Sequence, residues 1–187
     1  CALPIFSHIV MMGMGEPLAN LDRVLGALSV ARDQNGLGIS PRRITISTVG
    51  LPKAIDRLAK SGVPYNLAVS LHAPNEQLRS ELVPVNQQVG MQAVLDAADR
   101  YFAANGRRLT FEYVLLGGVN DFAEHAKELQ QLLRQRNVLL LAVSTRRVAG
   151  VVLLLLLARR SPTRPLSSYS RPRTGRLADY GVDYFCP

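Results

Sequence analysis

Two glycines and a carboxylate stand together in Gly13-Met14-Gly15-Glu16-Pro17, directly after a short apolar run. Glycine has no Cβ, so a ligand can approach the backbone closely at such a segment. Glu16 would repel a phosphate and suits a cationic group instead, such as the ammonium of an amino acid. Further along, polar side chains recur at alternate positions of three otherwise apolar segments: Thr45 and Ser47, then Asn66, Ser70 and His72, then Thr110 and Glu112. A strand period of two puts each set on one side of a sheet. Burying such groups without partners costs roughly 2 kcal/mol or more each, so they are expected to line a shared polar cavity rather than a dry core.

The elements that carry these residues alternate. Strands are expected at Ile5 to Met12, Arg43 to Val49, Asn66 to His72, Leu109 to Leu116 and Val138 to Ser144. Between them, Leu21, Val24, Leu25, Leu28 and Ala31 recur at helical spacing, with Asn20 as N-cap and Gly36 beyond the end. Pro52 opens a helix closed by Gly62, and a longer one runs through Met91, Val94, Leu95, Ala98, Tyr101 and Phe102. Asp121 and Glu124 have the spacing of a capping box for a helix through Leu133. Strand alternating with helix four times means a parallel sheet, open or closed. Exposed parallel sheet faces are rare, which favours the inside of an incomplete or wide barrel for the polar rows.

Four segments in order, Gly13 to Pro17, Ile44-Thr45-Ile46-Ser47-Thr48-Val49-Gly50, Leu67-Ala68-Val69-Ser70-Leu71-His72-Ala73-Pro74 and Phe111 to Asp121, closely resemble one family. These are the radical S-adenosylmethionine (SAM) enzymes that methylate C2 of adenine in ribosomal and transfer RNA, the RlmN type with its C8-methylating Cfr relatives. The resemblance covers roughly residues 5–136. It implies a partial (β/α)6 radical SAM barrel that lacks its first strand and cluster loop and has an aberrant C-terminal part. It also implies that Gly15 and Glu16 receive the methionine ammonium of SAM, that Ser47 contacts SAM, and that Ser70, Leu71 and His72 lie near its ribose and sulfonium end. The family's activity further requires a [4Fe-4S] cluster held by a Cys-x-x-x-Cys-x-x-Cys loop, an electron donor, 23S rRNA and tRNA as substrates, and a C-terminal methyl-carrying Cys. This chain has two cysteines, Cys1 and Cys186, neither in such a context, so it is expected to be inactive by itself. Two distant cysteines make cytosolic chemistry the default, and a cytoplasmic monomer is expected.

Composition bounds the rest. With 187 residues, 48% apolar and 19% charged, one ordinary domain with a sizeable core is expected. No apolar run is long enough to span a bilayer, and two distant cysteines exclude a disulfide scaffold. The net charge of +8 is uneven: residues 1–136 carry 14 Lys and Arg against 12 Asp and Glu, while residues 137–187 carry eight Arg against two Asp. From Ser161 to Arg176, Ser, Pro and Arg make up 11 of 16 residues, a low-complexity composition. Two units are therefore expected, a barrel core over 1–136 and a basic tail over 137–187 arising from a reading-frame change near Asn137. His8 and His125 are read as structural, and Cys186 as unrelated to the methyl carrier. Two other function classes fit part of the sequence: a non-catalytic α/β module binding a SAM-like small ligand, and an RNA-binding protein led by the basic tail.

Overall fold

The computed structural model describes residues 7–107, 109–144 and 152–156. Cys1, Cys186 and the Ser/Pro/Arg-rich segment 161–176 lie outside the described residues. Strands β1 (Ile9–Met11), β2 (Ile44–Thr48), β3 (Asn66–Ser70), β4 (Leu109–Leu115) and β5 (Val138–Ser144) form a parallel sheet in sequential order. A sixth strand, β6 (Val152–Leu156), runs antiparallel to β5. The helices are α1 (Leu21–Arg32), α2 (Pro52–Lys60), α3 (Glu76–Leu82), α4 (Asn86–Val89), α5 (Met91–Asn105) and α6 (Ala123–Leu133). Right-handed crossovers between strands added always on the same side place every connecting helix on one face. That is barrel winding: one face is the core and the other faces inward.

The alternation in the sequence becomes this division. Ile44, Ile46, Leu67, Val69, Phe111 and Leu140 point to the helices and are buried with Ile55, Leu58, Val94, Leu95 and Tyr101. At roughly 25 cal/mol per Å² of apolar area, this face supplies most of the drive for folding. Thr45, Ser47, Ser70, Thr110 and Glu112 take the alternate positions, with Ser70 opposite Glu112 in register. The inner row turns apolar at β5, where Leu141 stands opposite Glu112.

The expected strands and their order are present. The helix caps differ. Asn20 makes no side-chain cap; a 3-10 turn over Pro17–Asn20 precedes α1, and Glu16 caps that turn by accepting the Leu18 N–H. The Asp121 carboxylate accepts the Gly118 N–H within its loop, so no capping box forms and α6 starts after Phe122. Helices α3 and α4 were not expected from periodicity; both are short, and α3 begins where the Asn75 side chain accepts the Leu78 N–H. Tyr113, whose hydroxyl is pushed up to about 12 by burial and by the carboxylates of Glu128 and Asp121, donates to the Asn120 carbonyl and fixes the loop after β4.

Candidate functional site

The site lies where β1 to β4 end. Gly13 and Gly15 adopt φ of 120° and 93°, and a Cβ at either would meet nothing within 4 Å, so the loop after β1 borders open space. The chain then bends back so that the Glu16 carboxylate accepts two backbone amides, Leu18 N–H at 2.9 Å and Val49 N–H at 2.8 Å. Glu16 thereby ties the loop after β1 to the end of β2. Gly50 follows at φ 100°, and a Cβ there would meet Val94 Cγ1 at 2.5 Å. Only glycine satisfies both that conformation and that contact with α5.

Strand β3 stops at Ser70, two residues short of the expected His72. The Leu71 and His72 amides both donate to the Glu112 carbonyl, at 2.9 and 3.2 Å, which breaks the ladder. His72 then adopts φ 59°, the one described non-glycine residue with positive φ. Positive φ is uncommon outside glycine, though histidine adopts it more readily than most, and hydrogen bonds on both sides of the residue hold it. Here Val114 N–H donates to His72 Nδ1 at 3.2 Å, and Asn120 Nδ2 donates to the His72 carbonyl at 2.8 Å. Because Nδ1 is an acceptor, the neutral ring carries its proton on Nε2. Burial, and secondly the Arg79 guanidinium, hold this imidazole below its usual range and so keep it neutral.

These elements enclose a pocket of about 280 Å³ lined by Gly13, Gly15, Glu16, Ser47, Ser70, His72 and Glu112, with Met11, Met12, Pro17, Thr48 and Val49. Of the residues singled out from the sequence, Gly15, Glu16, Ser47, Ser70 and His72 meet there. Leu71 does not: its side chain is fully buried in the core, and its carbonyl accepts from Arg79 Nε. Asn66, on the same polar row, sits at the other end of its strand, donating to the Arg42 carbonyl and accepting from Arg107.

Two residues went unassigned in the sequence reading. Glu112 is the hub of the polar row: Ser47 Oγ and Ser70 Oγ both donate to its Oε2 at 3.2 Å. Its alternation with Phe111 and Tyr113 marked it as inward-facing but not as a partner of those hydroxyls. Burial pushes its carboxyl above the usual carboxylate range, against the two serine hydrogen bonds that lower it. Arg79, fully buried on α3, donates to the carbonyls of Val49, Ser70 and Leu71 and to Asn86 Oδ1. It belts together the ends of β2 and β3 from behind the pocket.

A larger cavity of about 340 Å³ lies between α6 and the ends of β4 and β5. It is walled mainly by Leu115, Phe122, Leu129 and Leu140, and its His125 ring meets Phe122 edge-on at 5.5 Å. Its wall is mostly apolar, and its Tyr113 hydroxyl and Asp121 carboxylate are engaged by the loop after β4, whereas hydroxyls and carboxylates converge in the strand-end pocket.

Residues 3–133 match the model of the radical SAM superfamily. The chain belongs to the radical SAM superfamily. Among relatives, it is 71% identical over 145 residues to a protein from Rhodopirellula baltica named probable dual-specificity RNA methyltransferase RlmN, an alignment covering 78% of this chain and 39% of that protein. It is 50% identical over 131 residues to the dual-specificity RNA methyltransferase RlmN of Xylella fastidiosa strain Temecula1, covering 69% of this chain and 32% of the relative. A solved radical SAM methyltransferase from Sphaerobacter thermophilus superposes with a TM-score of 0.71 at 45% identity, over 73% of this chain and 40% of that one. The chain thus spans about two fifths or less of the length of these radical SAM relatives. The relatives that share this domain are named as RNA methyltransferases. Among the described residues, no helix is long and apolar enough to cross a membrane.

Proposed function

We propose that this chain forms the SAM-binding core of an RlmN-type RNA methyltransferase that modifies C2 of adenine in 23S rRNA and tRNA. The observation that carries the reading is the convergence of Glu16, Ser47, Ser70 and His72 on one pocket at the strand ends. Glu16 and the open glycine loop take the ammonium end of SAM. Ser47 and Ser70 offer hydroxyl oxygens, and His72 presents an Nε2–H donor fixed by the hydrogen bond at Nδ1. Leu71 acts by position: its N–H donates to the Glu112 carbonyl and its carbonyl accepts from Arg79, which holds Ser70 and His72 on either side of it in place. All the pocket residues lie within 1–136, which we take as the working core; the change of composition after 136 is tested by sequencing the coding DNA across residue 137.

No group of three His, Cys, Asp or Glu among the described residues could hold a metal. The residues described do not fit a [4Fe-4S] cluster, which closely spaced thiolates hold. The cluster, its electron donor and the RNA substrates belong to the whole enzyme, which we read as a cytoplasmic monomer. These 187 residues alone are expected to bind SAM without cleaving it.

Calorimetry of the chain with SAM, S-adenosylhomocysteine and ATP tests the assignment. The two sulfur nucleosides should bind and ATP should not, since two carboxylates face the pocket. Binding of ATP as tight as that of SAM would favour a general nucleotide module, and no binding of SAM would remove the reading. Release of 5′-deoxyadenosine after reconstitution with iron, sulfide and reductant would refute the expected inactivity of this chain.

A further inference from the structure

The pocket holds two carboxylates with different surroundings. Glu16 is fixed by the backbone: each of its oxygens accepts one amide N–H, which holds the loop after β1 against β2 and leaves a lone pair on each oxygen for the ligand's ammonium. Glu112 is engaged through Oε2 only, by the hydroxyls of Ser47 and Ser70. No described cation pairs with it: the ion pairs are Arg57–Asp22, Arg100–Asp56 and Arg136–Asp99. On the far side in register stands Leu141, which offers no polar group. The neutral His72 ring and Arg79 are turned to other partners: His72 Nδ1 takes the Val114 amide, and Arg79 donates to three carbonyls and Asn86. A half-buried carboxylate with one oxygen held by hydroxyls and no counter-ion is costly unless a cation completes it.

We infer that Glu112 is the specificity-determining counter-charge for the sulfonium of the ligand, distinguishing it from the neutral thioether left after the methyl or adenosyl group departs. This rests on the pocket being a SAM site. SAM carries two positive centres, an ammonium and a sulfonium, and the pocket carries two carboxylates. The glycine loop and Glu16 stand at the β1–β2 end of the sheet, while Glu112 stands on β4 opposite Ser70 of β3. Ser47 and Ser70 point their protons at Glu112, so they anchor the carboxylate and turn lone pairs to the ligand. A fixed negative charge in a partly dry pocket acts far more strongly on a charged sulfur than on a neutral one.

The test is the ratio of dissociation constants for SAM and S-adenosylhomocysteine, measured by equilibrium dialysis on the 187-residue chain at pH 7.5. The wild type should prefer SAM by about tenfold, equivalent to about 1.4 kcal/mol. Glu112→Gln should bring the ratio to within about twofold by weakening SAM alone, and Glu112→Asp should retain part of the preference because the charge remains. Unchanged S-adenosylhomocysteine affinity in each variant shows that the pocket is still folded. A preference that survives Glu112→Gln, a wild type that binds both ligands equally, or a variant that loses both ligands in proportion while its melting transition persists would each overturn the counter-charge role and leave the SAM site standing. A wild type that binds neither ligand would overturn the SAM site itself, and this inference with it.

Discussion

Replacing Arg79 by Met should cost this domain about 3–5 kcal/mol, because several buried acceptors lose their donor together. Met keeps most of the apolar stem, so the loss isolates the guanidinium. Three backbone carbonyls and one side-chain amide lose a donor: Val49 O at 2.6 Å, Ser70 O at 3.2 Å, Leu71 O at 3.3 Å and Asn86 Oδ1. An acceptor left dry costs about 1–3 kcal/mol, and water reaching the pocket side will relieve part of the total. No carboxylate touches Arg79; Glu76 acts through Asn86, whose Nδ2 donates to Glu76 Oε1 at 2.6 Å. Burial accordingly pulls the guanidinium below its usual range, with Glu76 opposing. Urea unfolding followed by circular dichroism reads the effect. With a slope of about 2 kcal/mol per M, the midpoint should fall by about 2 M. Arg79→Lys keeps the charge but not the planar fan of donors, and should still lose about half as much. A midpoint for Arg79→Met within roughly 0.5 M of wild type would refute the belt. An Arg79→Lys variant as stable as wild type would show that charge, not donor geometry, matters.

Glu112→Gln should stabilise the unliganded chain at pH 7.5 by about 1 kcal/mol, after allowance for solvent reaching the pocket, or roughly 2–4 °C in melting temperature. The sign follows from the raised carboxyl: the stability that its protonated form contributes is present below the unfolded value and lost as pH rises through the folded one. The gap between variant and wild type should therefore close as pH falls through that window; a gap independent of pH between 4 and 8 would contradict it. Gly50→Ala should cost about 2–4 kcal/mol, since it combines a left-handed backbone with overpacking against Val94, and a melting temperature lowered by less than about 2 °C would show that α5 yields easily. Nitrogen NMR of His72 should show a neutral Nε2–H ring at pH 7, and Asn120→Asp, which removes the donor to the His72 and Val114 carbonyls, should abolish that single tautomer; an unaltered ring spectrum would separate Asn120 from His72.

Much of this was legible because parallel strands of a singly wound sheet have two chemically distinct faces. Thr45 and Ser47 against Ile44 and Ile46 declare the sides of β2 in the sequence itself, and Thr110 and Glu112 against Phe111 and Tyr113 do so for β4. Leu71 shows the limit of a motif: it sits between Ser70 and His72 in sequence, yet a period of two turns its side chain into the core. The strand is expected to reach His72 because Leu67 to His72 keeps strand-like alternation, yet β3 ends at Ser70. What stops the strand is non-local, the Glu112 carbonyl taking two successive amides.

The illegible part has a common cause. Arg79 and Asn86 lie between His72 and Met91, where the helices are too short to show a period, and an arginine in such a stretch reads as solvated surface. Its burial depends on three carbonyls contributed by two strand ends 30, 9 and 8 residues away. The Val49 peptide shows why those ends must be held: Glu16 takes its N–H on the pocket side while Arg79 takes its carbonyl from behind. Ser70 is gripped likewise, its carbonyl by Arg79 and its hydroxyl by Glu112. The pocket's polar groups are thus held by charges on both sides of the strand ends, one of them a cation that does not line the pocket. A binding site read only from the residues that face the ligand would miss the half of its construction that keeps them in place.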